Sequence, residues 1–299
     1  MHITIHQLRI LSAIVRYKNF TRAAEKLHIS QPAVSMQMKQ LEEMLGEPVL
    51  EHVNKRLHLT LTGQTIVDAA RDILNRLERL ENELQELKGE ITGQLDIAVV
   101  TSAKHFLPHY LGEFMRQHPK IKPRLTVTNR ATVLEAISEN RHDLYIMGQV
   151  PAGLDIEATP FLDNIIEVIA APDHPLSKKK NVSLKMLAEE PFLVREQGSG
   201  TRVAVDRLFS KSGLSIKPFM ELGSSGAIKN AVIAGLGIAV LSRHSLEYEL
   251  KSKAIQILDV ENFPLRRRWY AAYPGGKRLS FSARTFLEFL MNSTKEVKK

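Results

Sequence analysis

The sequence predicts an N-terminal all-α winged helix-turn-helix, a long linker helix and a C-terminal α/β domain. Three observations carry this. The first sixty residues hold three capped helical patterns followed by a short hairpin pattern. From Thr62 to Lys88 the chain runs without proline in a heptad repeat. From Gly93 onward short apolar runs alternate with amphipathic helical stretches. A chain of 299 residues has the length for two or three domains with buried cores.

Composition removes several function classes. The chain is 43% hydrophobic and 25% charged, and it lacks an apolar run near the roughly 20 residues of a membrane-spanning helix. Its opening MHITIHQLRI lacks the basic stretch, apolar core and cleavage site of a secretory signal, so a cytoplasmic location is expected. The chain has no cysteine, which excludes disulfides, thiolate zinc sites and cysteine nucleophiles, and no cofactor is expected. The net charge of +8 favours a polyanionic partner. Residues 1–60 hold eight Lys/Arg against five Glu, so the excess is spread along the chain and position has to carry the argument.

Helix one starts at Thr4, which forms a capping-box pattern with Gln7, and Leu8, Leu11, Ile14 and Val15 follow at helical spacing. Asn19 or Thr21 caps helix two, whose buried side is Ala23, Ala24 and Leu27. Ser30 caps helix three, with Pro32 in its first turn. There Val34, Met38, Leu41 and Leu45 form the apolar side, leaving Gln31, Ser35, Met36, Gln37 and Lys39 on the other. Gly46 ends helix three, and Glu47–Thr60 reads as a hairpin with Asn54, Lys55 and Arg56 at its tip. A capped helix with a polar N-terminal face after a tight turn is a helix-turn-helix pattern, and the cationic tip is a wing that contacts sugar-phosphate. The same spacing also fits any three-helix packing module.

The run NFTRAAEKLHISQPAVSMQMKQLEEMLGEPVLEHVNKRLHLTLTG resembles the DNA-binding signature of the LysR-type transcriptional regulators, in order and without gaps. The resemblance implies that Gln31, Pro32, Ser35 and Lys39 approach double-stranded operator DNA from the recognition helix. It also implies that Arg56 is a basic wing position, with Thr21, Met36 and Lys55 in the same DNA-facing set. Met36 stands where the family often has a basic residue, and Val49-Leu50-Glu51-His52 replaces a usual Leu-Phe-x-Arg.

In the linker helix, residues 61–91, the apolar positions Ile66, Ala70, Ile73, Leu77, Leu80, Leu84 and Leu87 step by 4, 3, 4, 3, 4 and 3. Such a seam wants a partner helix and predicts a homodimer or homotetramer; the alternative is that it packs on the chain's own C-terminal domain. Dimerisation would set two reading heads on one operator.

Beyond residue 92 the predicted strands are Leu95–Val100, Leu125–Thr128, Leu144–Met147, Ile165–Ala171, Phe192–Val194, Ile238–Leu241, Ile255–Leu258 and Trp269–Tyr273, in largely parallel sheets. Such sheets bind ligands beyond the carboxyl ends of their strands. Three loops there suit an anion: Thr101–Lys104, Gln197–Arg202 and Gly223–Gly226. The plainer alternative is that their hydroxyl residues cap helices.

LysR-type effector domains resemble periplasmic binding proteins, with two α/β lobes and a cleft between them. The resemblance implies a periplasmic-binding-protein-like effector domain over 92–299, with lobe one at 92–161 plus 265–299 and lobe two at 162–264. Thr101 and Ser102 would stand on one wall of the cleft, with Ser199, Gly200 and Thr201 on the other. TSAKHFLP, TVTNRATVLEAI, DLYIMGQVP, IAAPDHPL and REQGSGTR are similar to the subgroup that regulates RuBisCO operons, whose effectors are sugar phosphates and related metabolites. A phosphorylated effector would suit Lys104, Asn129, Arg130 and Arg195. The family also implies RNA polymerase as a partner.

An enzyme or a small-molecule binding protein with an accessory helical domain is the rival reading. No G-x-S-x-G elbow, H-E-x-x-H motif, Walker loop or G-x-G-x-x-G fingerprint supports catalysis. His105 and His109, four apart, lack a third ligand at useful spacing, so no metal is expected.

Overall fold

The computed structural model describes residues 2–53, 56–86 and 93–296, with the backbone alone for Arg56 and for several side chains late in the linker and at the C-terminus. Lys55 and Leu87 lie outside the described residues. The chain forms two compact units, Met1–Gly89 and Glu90–Lys299.

The first unit is built by its caps. Helix α1 (Ile5–Tyr17) opens with the capping box, in which the Thr4 hydroxyl accepts from Gln7 N at 3.2 Å and Gln7 Oε1 accepts from Thr4 N at 3.0 Å. Asn19, not Thr21, caps α2 (Phe20–Leu27), accepting from Arg22 N at 2.9 Å. The turn to the next helix passes through His28 in the left-handed region, φ 57°. Ser30 caps α3 (Gln31–Leu45), and Gly46 closes it at φ 73°. Ile10, Leu11 and Ile14 meet Ala23, Ala24, Val34, Met38 and Leu41 in one buried core. Strands β1 (Leu50–Val53) and β2 (Arg56–Leu59) pair antiparallel as the wing, from Leu50 opposite Leu59 to Val53 opposite Arg56.

The linker helix α4 (Leu61–Glu86) starts hard against the wing. The Thr60 hydroxyl donates to Pro48 O at 2.7 Å and accepts from Gly63 N at 3.0 Å. A Cβ on Gly63 would stand 2.0 Å from Val49 O, so only glycine allows this approach. The apolar seam divides along the helix. Ala70 is buried and Ile66 packs on the same core as α1, whereas Ile73, Leu80 and Leu84 are exposed. The first two seam residues therefore belong to the chain's own core, and the open stripe begins at Ile73.

The second unit carries, in chain order, β3 (Gly93–Val100), α5 (Leu107–Gln117), β4 (Ile121–Thr128), α6 (Arg130–Ser138), β5 (Leu144–Met147), β6 (Ile156–Ala170), α7 (Leu184–Glu189), β7 (Phe192–Arg195), α8 (Gly200–Lys211), β8 (Pro218–Leu222), α9 (Ser225–Ile233), β9 (Ile238–Ser242), α10 (Glu247–Lys251), β10 (Gln256–Ile257), β11 (Leu265–Pro274) and α11 (Phe281–Glu296). The strands pair in the order β4-β3-β5-β11-β6-β9-β7-β8, with β10 also on β6. One apolar core gathers β3 and β5 with α5, α6 and α11, and others gather β7 and β9 with α7, α8 and α9. Strands β6 and β11 contribute residues to both the first and the second of these cores.

The sheet departs from the largely parallel expectation. β3 pairs parallel with β4 and β5, and β7 with β8 and β9, but β11 runs antiparallel to β5 and β6, and β6 antiparallel to β9 and β10. The sequence expectation began β6 nine residues late because Ile156–Asn164 includes Pro160 and polar residues in place of an apolar run. It passed over β8, an edge strand that starts at a proline and exposes Phe219 and Met220.

Replacing Gly63 by Ala sets a methyl against a backbone carbonyl and is expected to destabilise the first unit by about 1–3 kcal/mol. Urea unfolding followed by circular dichroism checks it; an unchanged midpoint would show that β1 and α4 separate freely.

Candidate functional site

Helix α3 turns Val34, Met38 and Leu41 inward, so its opposite face is set by helical geometry. Gln31, Pro32, Met36 and Lys39 are exposed there and Ser35 is half-buried. Gln31 Nε2 donates to Ser35 Oγ at 2.9 Å, pre-arranging an amide and a hydroxyl of the kind that reads base edges. Met36 offers an apolar surface of the kind that meets a thymine methyl. Lys39 stands 3.6 Å from Glu43 in a solvent-exposed pair worth only about 0.3–0.5 kcal/mol, so a phosphate can displace that partner. Thr21 is exposed in the first turn of α2. The backbone of Arg56 opens β2 at the wing tip.

In the second unit the carboxyl ends of β3, β5 and β7 deliver their loops to one cleft. Thr101, Ser102, Arg130, Arg195, Ser199, Gly200 and Thr201 all line it. Lys104 does not line it, and neither does Asn129, whose Oδ1 caps α6 by accepting from Thr132 N at 2.9 Å. The Gly223–Gly226 loop also stays out: Ser224 caps α9, and Ser225 is buried beneath Arg195. Ser199, by contrast, precedes α8 without any side-chain capping bond, which leaves its hydroxyl to the cleft.

The three arginines of the cleft play different parts. Arg195 is 3% exposed and fully engaged. It donates to both Glu196 oxygens at 2.7 and 2.8 Å, to Ser225 Oγ at 3.3 Å and to Thr101 Oγ1 at 2.7 Å. Its charge is met within the protein, and it works as a strut between the β3 and β7 loops. Arg130 has a buried Nε with no hydrogen-bond partner among the described residues. Arg267, from β11, donates Nη1 to Gly200 O at 3.3 Å. Burial lowers the pKa of both, and Arg130 and Arg207 lower that of Arg267 further by repulsion. Neither shows a carboxylate partner among the described residues, so the cleft holds two unneutralised guanidiniums that an anion would satisfy. The space left is about 30 Å³, room for one water-sized group.

Sequence reasoning missed Arg267, Trp269, Gln149 and Asn164, which also line the cleft. The signal available was strand alternation in Arg266-Arg267-Arg268-Trp269, which puts Arg267 and Trp269 on one face. Among the described residues no group of three His, Cys, Asp or Glu is arranged to hold a metal, and His109 is exposed.

His105 keeps a buried Nε2 without a hydrogen-bond partner among the described residues, close to the buried pair of Lys229 Nζ and Glu249 Oε1 at 2.6 Å. Burial first, then Lys229 and Lys104, lowers its pKa from 6.5 to about 4. Between those values the unfolded chain takes up a proton that the folded chain refuses, so this residue makes the fold less stable as pH falls from 6.5 towards 4. Thermal melts across that window are expected to show a smaller acid-induced drop for His105→Gln than for wild type; parallel curves would overturn the assignment.

Residues 5–64 match the family described as "Bacterial regulatory helix-turn-helix protein, lysR family", and residues 88–295 match the "LysR substrate binding domain". The RuBisCO operon transcriptional regulator of Acidithiobacillus ferrooxidans is 43% identical over 289 residues, 97% of this chain and 94% of that protein. The regulatory domain of CcmR from Synechocystis PCC6803, solved in complex with 2-PG, is 45% identical with a TM-score of 0.66, covering 68% of this chain and 98% of that one. A full-length OxyR variant from Pseudomonas aeruginosa shares the fold, at 22% identity and a TM-score of 0.77 over 99% of this chain and 95% of that one.

Proposed function

The chain belongs to the LysR family of DNA-binding transcriptional regulators, and we propose that it controls carbon-fixation genes in response to a phosphorylated metabolite held in the cleft of its second unit. The observation that carries the ligand class is the pair Arg130 and Arg267. Two partly buried guanidiniums without carboxylate partners among the described residues repel one another, and a dianion between them relieves that repulsion while accepting charge-assisted hydrogen bonds. A sugar phosphate or phosphorylated acid fits, with its remaining oxygens on Thr101, Ser102, Ser199 and Thr201. The 2-PG complex of the CcmR regulatory domain and the RuBisCO-operon names of the relatives support the same class.

In this reading lobe one is residues 92–161 with 265–299, and lobe two 162–264. Ligand entry trades the Arg195–Thr101 strut for contacts to the anion, so bound and free states differ in lobe spacing and the ligand shifts their populations. The open part of the linker seam, Ile73, Leu77, Leu80 and Leu84, pairs with a second copy in a homodimer or homotetramer; exposed apolar residues at heptad spacing support this. Two copies then present two α3 helices to a twofold operator, the regulator works in the cytoplasm, and RNA polymerase is its further partner.

Calorimetric titration with 2-PG, 3-phosphoglycerate and ribose 5-phosphate tests the ligand. Arg130→Gln and Arg267→Gln are each expected to weaken the tightest of these about 10- to 100-fold, the loss of one charge-assisted bond of about 1.5–3 kcal/mol. Unchanged affinity in both variants, with the fold intact, would place the effector elsewhere.

On DNA, Ser35→Ala is expected to lower operator affinity by about 1–3 kcal/mol while leaving binding to unrelated duplex unchanged. Gel-shift titrations that cannot distinguish it from wild type would remove Ser35 and its partner Gln31 from the reading face.

A further inference from the structure

Asn164 lines the cleft from β6, and the strand register sets its neighbour there. It stands directly opposite Arg267 of β11, so an amide and a guanidinium lie side by side on one face of the ribbon. The Asn164 side chain is 4% exposed, and its orientation is held from behind. Ser242, on the neighbouring strand β9, donates its hydroxyl to Asn164 Oδ1 at 2.9 Å. That bond occupies the amide oxygen and leaves Nδ2, which has no hydrogen-bond partner among the described residues.

Gly148 keeps that nitrogen open. A Cβ there would stand 2.6 Å from Asn164 Nδ2 and 3.5 Å from the Trp269 ring, and all three residues line the cleft. Gly148 does not adopt a positive φ, so the missing side chain answers to space and not to backbone conformation. A buried donor without a partner destabilises the fold, and a ligand that accepts from it recovers the loss. The lining residues include no carboxylate. Gln149 Oε1 is a buried acceptor without a partner among the described residues, enough for one hydroxyl but not for the row of hydroxyls on a sugar. Such a wall suits oxygens that only accept.

We propose that Asn164 is a specificity-determining residue of the cleft, donating from Nδ2 to the carboxylate of a phosphorylated acid whose phosphate lies at Arg130 and Arg267, and so selecting such acids over sugar phosphates and phosphorylated alcohols. The inference rests on the phosphate reading given above and deepens it. Ser242 is a positioning residue that acts through Asn164: without its hydroxyl the amide is free to turn its oxygen towards the ligand, where it would repel a carboxylate.

The experiment titrates the full chain by calorimetry with two matched pairs, 3-phosphoglycerate against glycerol 3-phosphate and 2-phosphoglycolate against 2-hydroxyethyl phosphate. Within each pair a carboxylate is exchanged for an alcohol and the phosphate stays. In the tighter-binding pair the acid is expected to bind wild type at least tenfold more tightly than the alcohol. Asn164→Asp keeps the shape but replaces the donor by an acceptor, and is expected to reduce that preference to threefold or less. Ser242→Ala is expected to cut it at least threefold, a change in the ratio of two ligands that a general loss of packing would not produce. Arg130→Gln is expected to weaken both members of the pair and keep the preference. Equal affinity for acid and alcohol in wild type, or a preference kept in folded Asn164→Asp, would overturn the proposal while leaving the phosphate reading standing. If Asn164→Asp fails to fold, an unchanged preference in Ser242→Ala overturns it instead. Binding of neither member of either pair would remove the phosphate reading and this inference with it.

Discussion

The antiparallel pairing of β6 with β11 is the constraint on which the second unit depends. Ten residue pairs, from Leu265 opposite Ile166 to Pro274 opposite Ile156, carry the sheet from one apolar core to the other, with a bulge between Trp269 and Tyr270. Because side chains alternate across a strand, this ribbon has a front and a back that cannot be exchanged without slipping the register of both cores. On the front Asn164, Ile166, Arg267 and Trp269 line the cleft, while on the back Asp163 meets Arg268 and Ile165 stands opposite Arg266.

Within the cleft, the arginines differ in what already surrounds them. Arg195 is as buried as many core leucines, and its burial is tolerable because Glu196, Thr101 and Ser225 meet its donors. Arg130 and Arg267 have no such company among the described residues; burial lowers the pKa of both, and repulsion from Arg130 and Arg207 lowers that of Arg267 further. Gly200 lies close to the same Arg130: a Cβ there would stand 3.2 Å from Arg130 Cδ. The Arg195–Thr101 contact and the two arginines that lack a carboxylate partner among the described residues stand within one small volume.

The DNA-reading unit solves a simpler problem with local means. Each helix start is held by a side chain three residues from the amide it satisfies, and two left-handed residues, His28 and Gly46, end α2 and α3. A longer-range demand is the close approach of Gly63 to Val49, which locks wing to linker helix and so fixes where β1 and β2 stand beside α3. Burying Ile66 and Ala70 against the same core then leaves the outer part of α4 with its apolar stripe in water.

What the sequence by itself determined was whatever depends on neighbours a few residues away: the caps at Thr4, Ser30 and Gly46, the inward and outward faces of α3, the wing, and the short apolar strands. It also named five of the cleft residues, Thr101, Ser102, Ser199, Gly200 and Thr201, because loops after parallel strands converge at one sheet end whatever their detailed packing, while Arg130 and Arg195 came only with the family resemblance. Tertiary structure alone decided the rest. Thr21 or Asn19 could cap α2 on spacing, and the backbone path selects Asn19. Asn129 and Ser199 look alike as residues before helices, yet one spends its side chain on its own helix and the other does not. Arg267 reaches the cleft only because β11 returns across more than a hundred residues to lie beside β6, and such pairing leaves no trace in local periodicity. The inward turn of Ile66 and Ala70 follows the same rule: burial is conferred by what arrives from elsewhere in the chain.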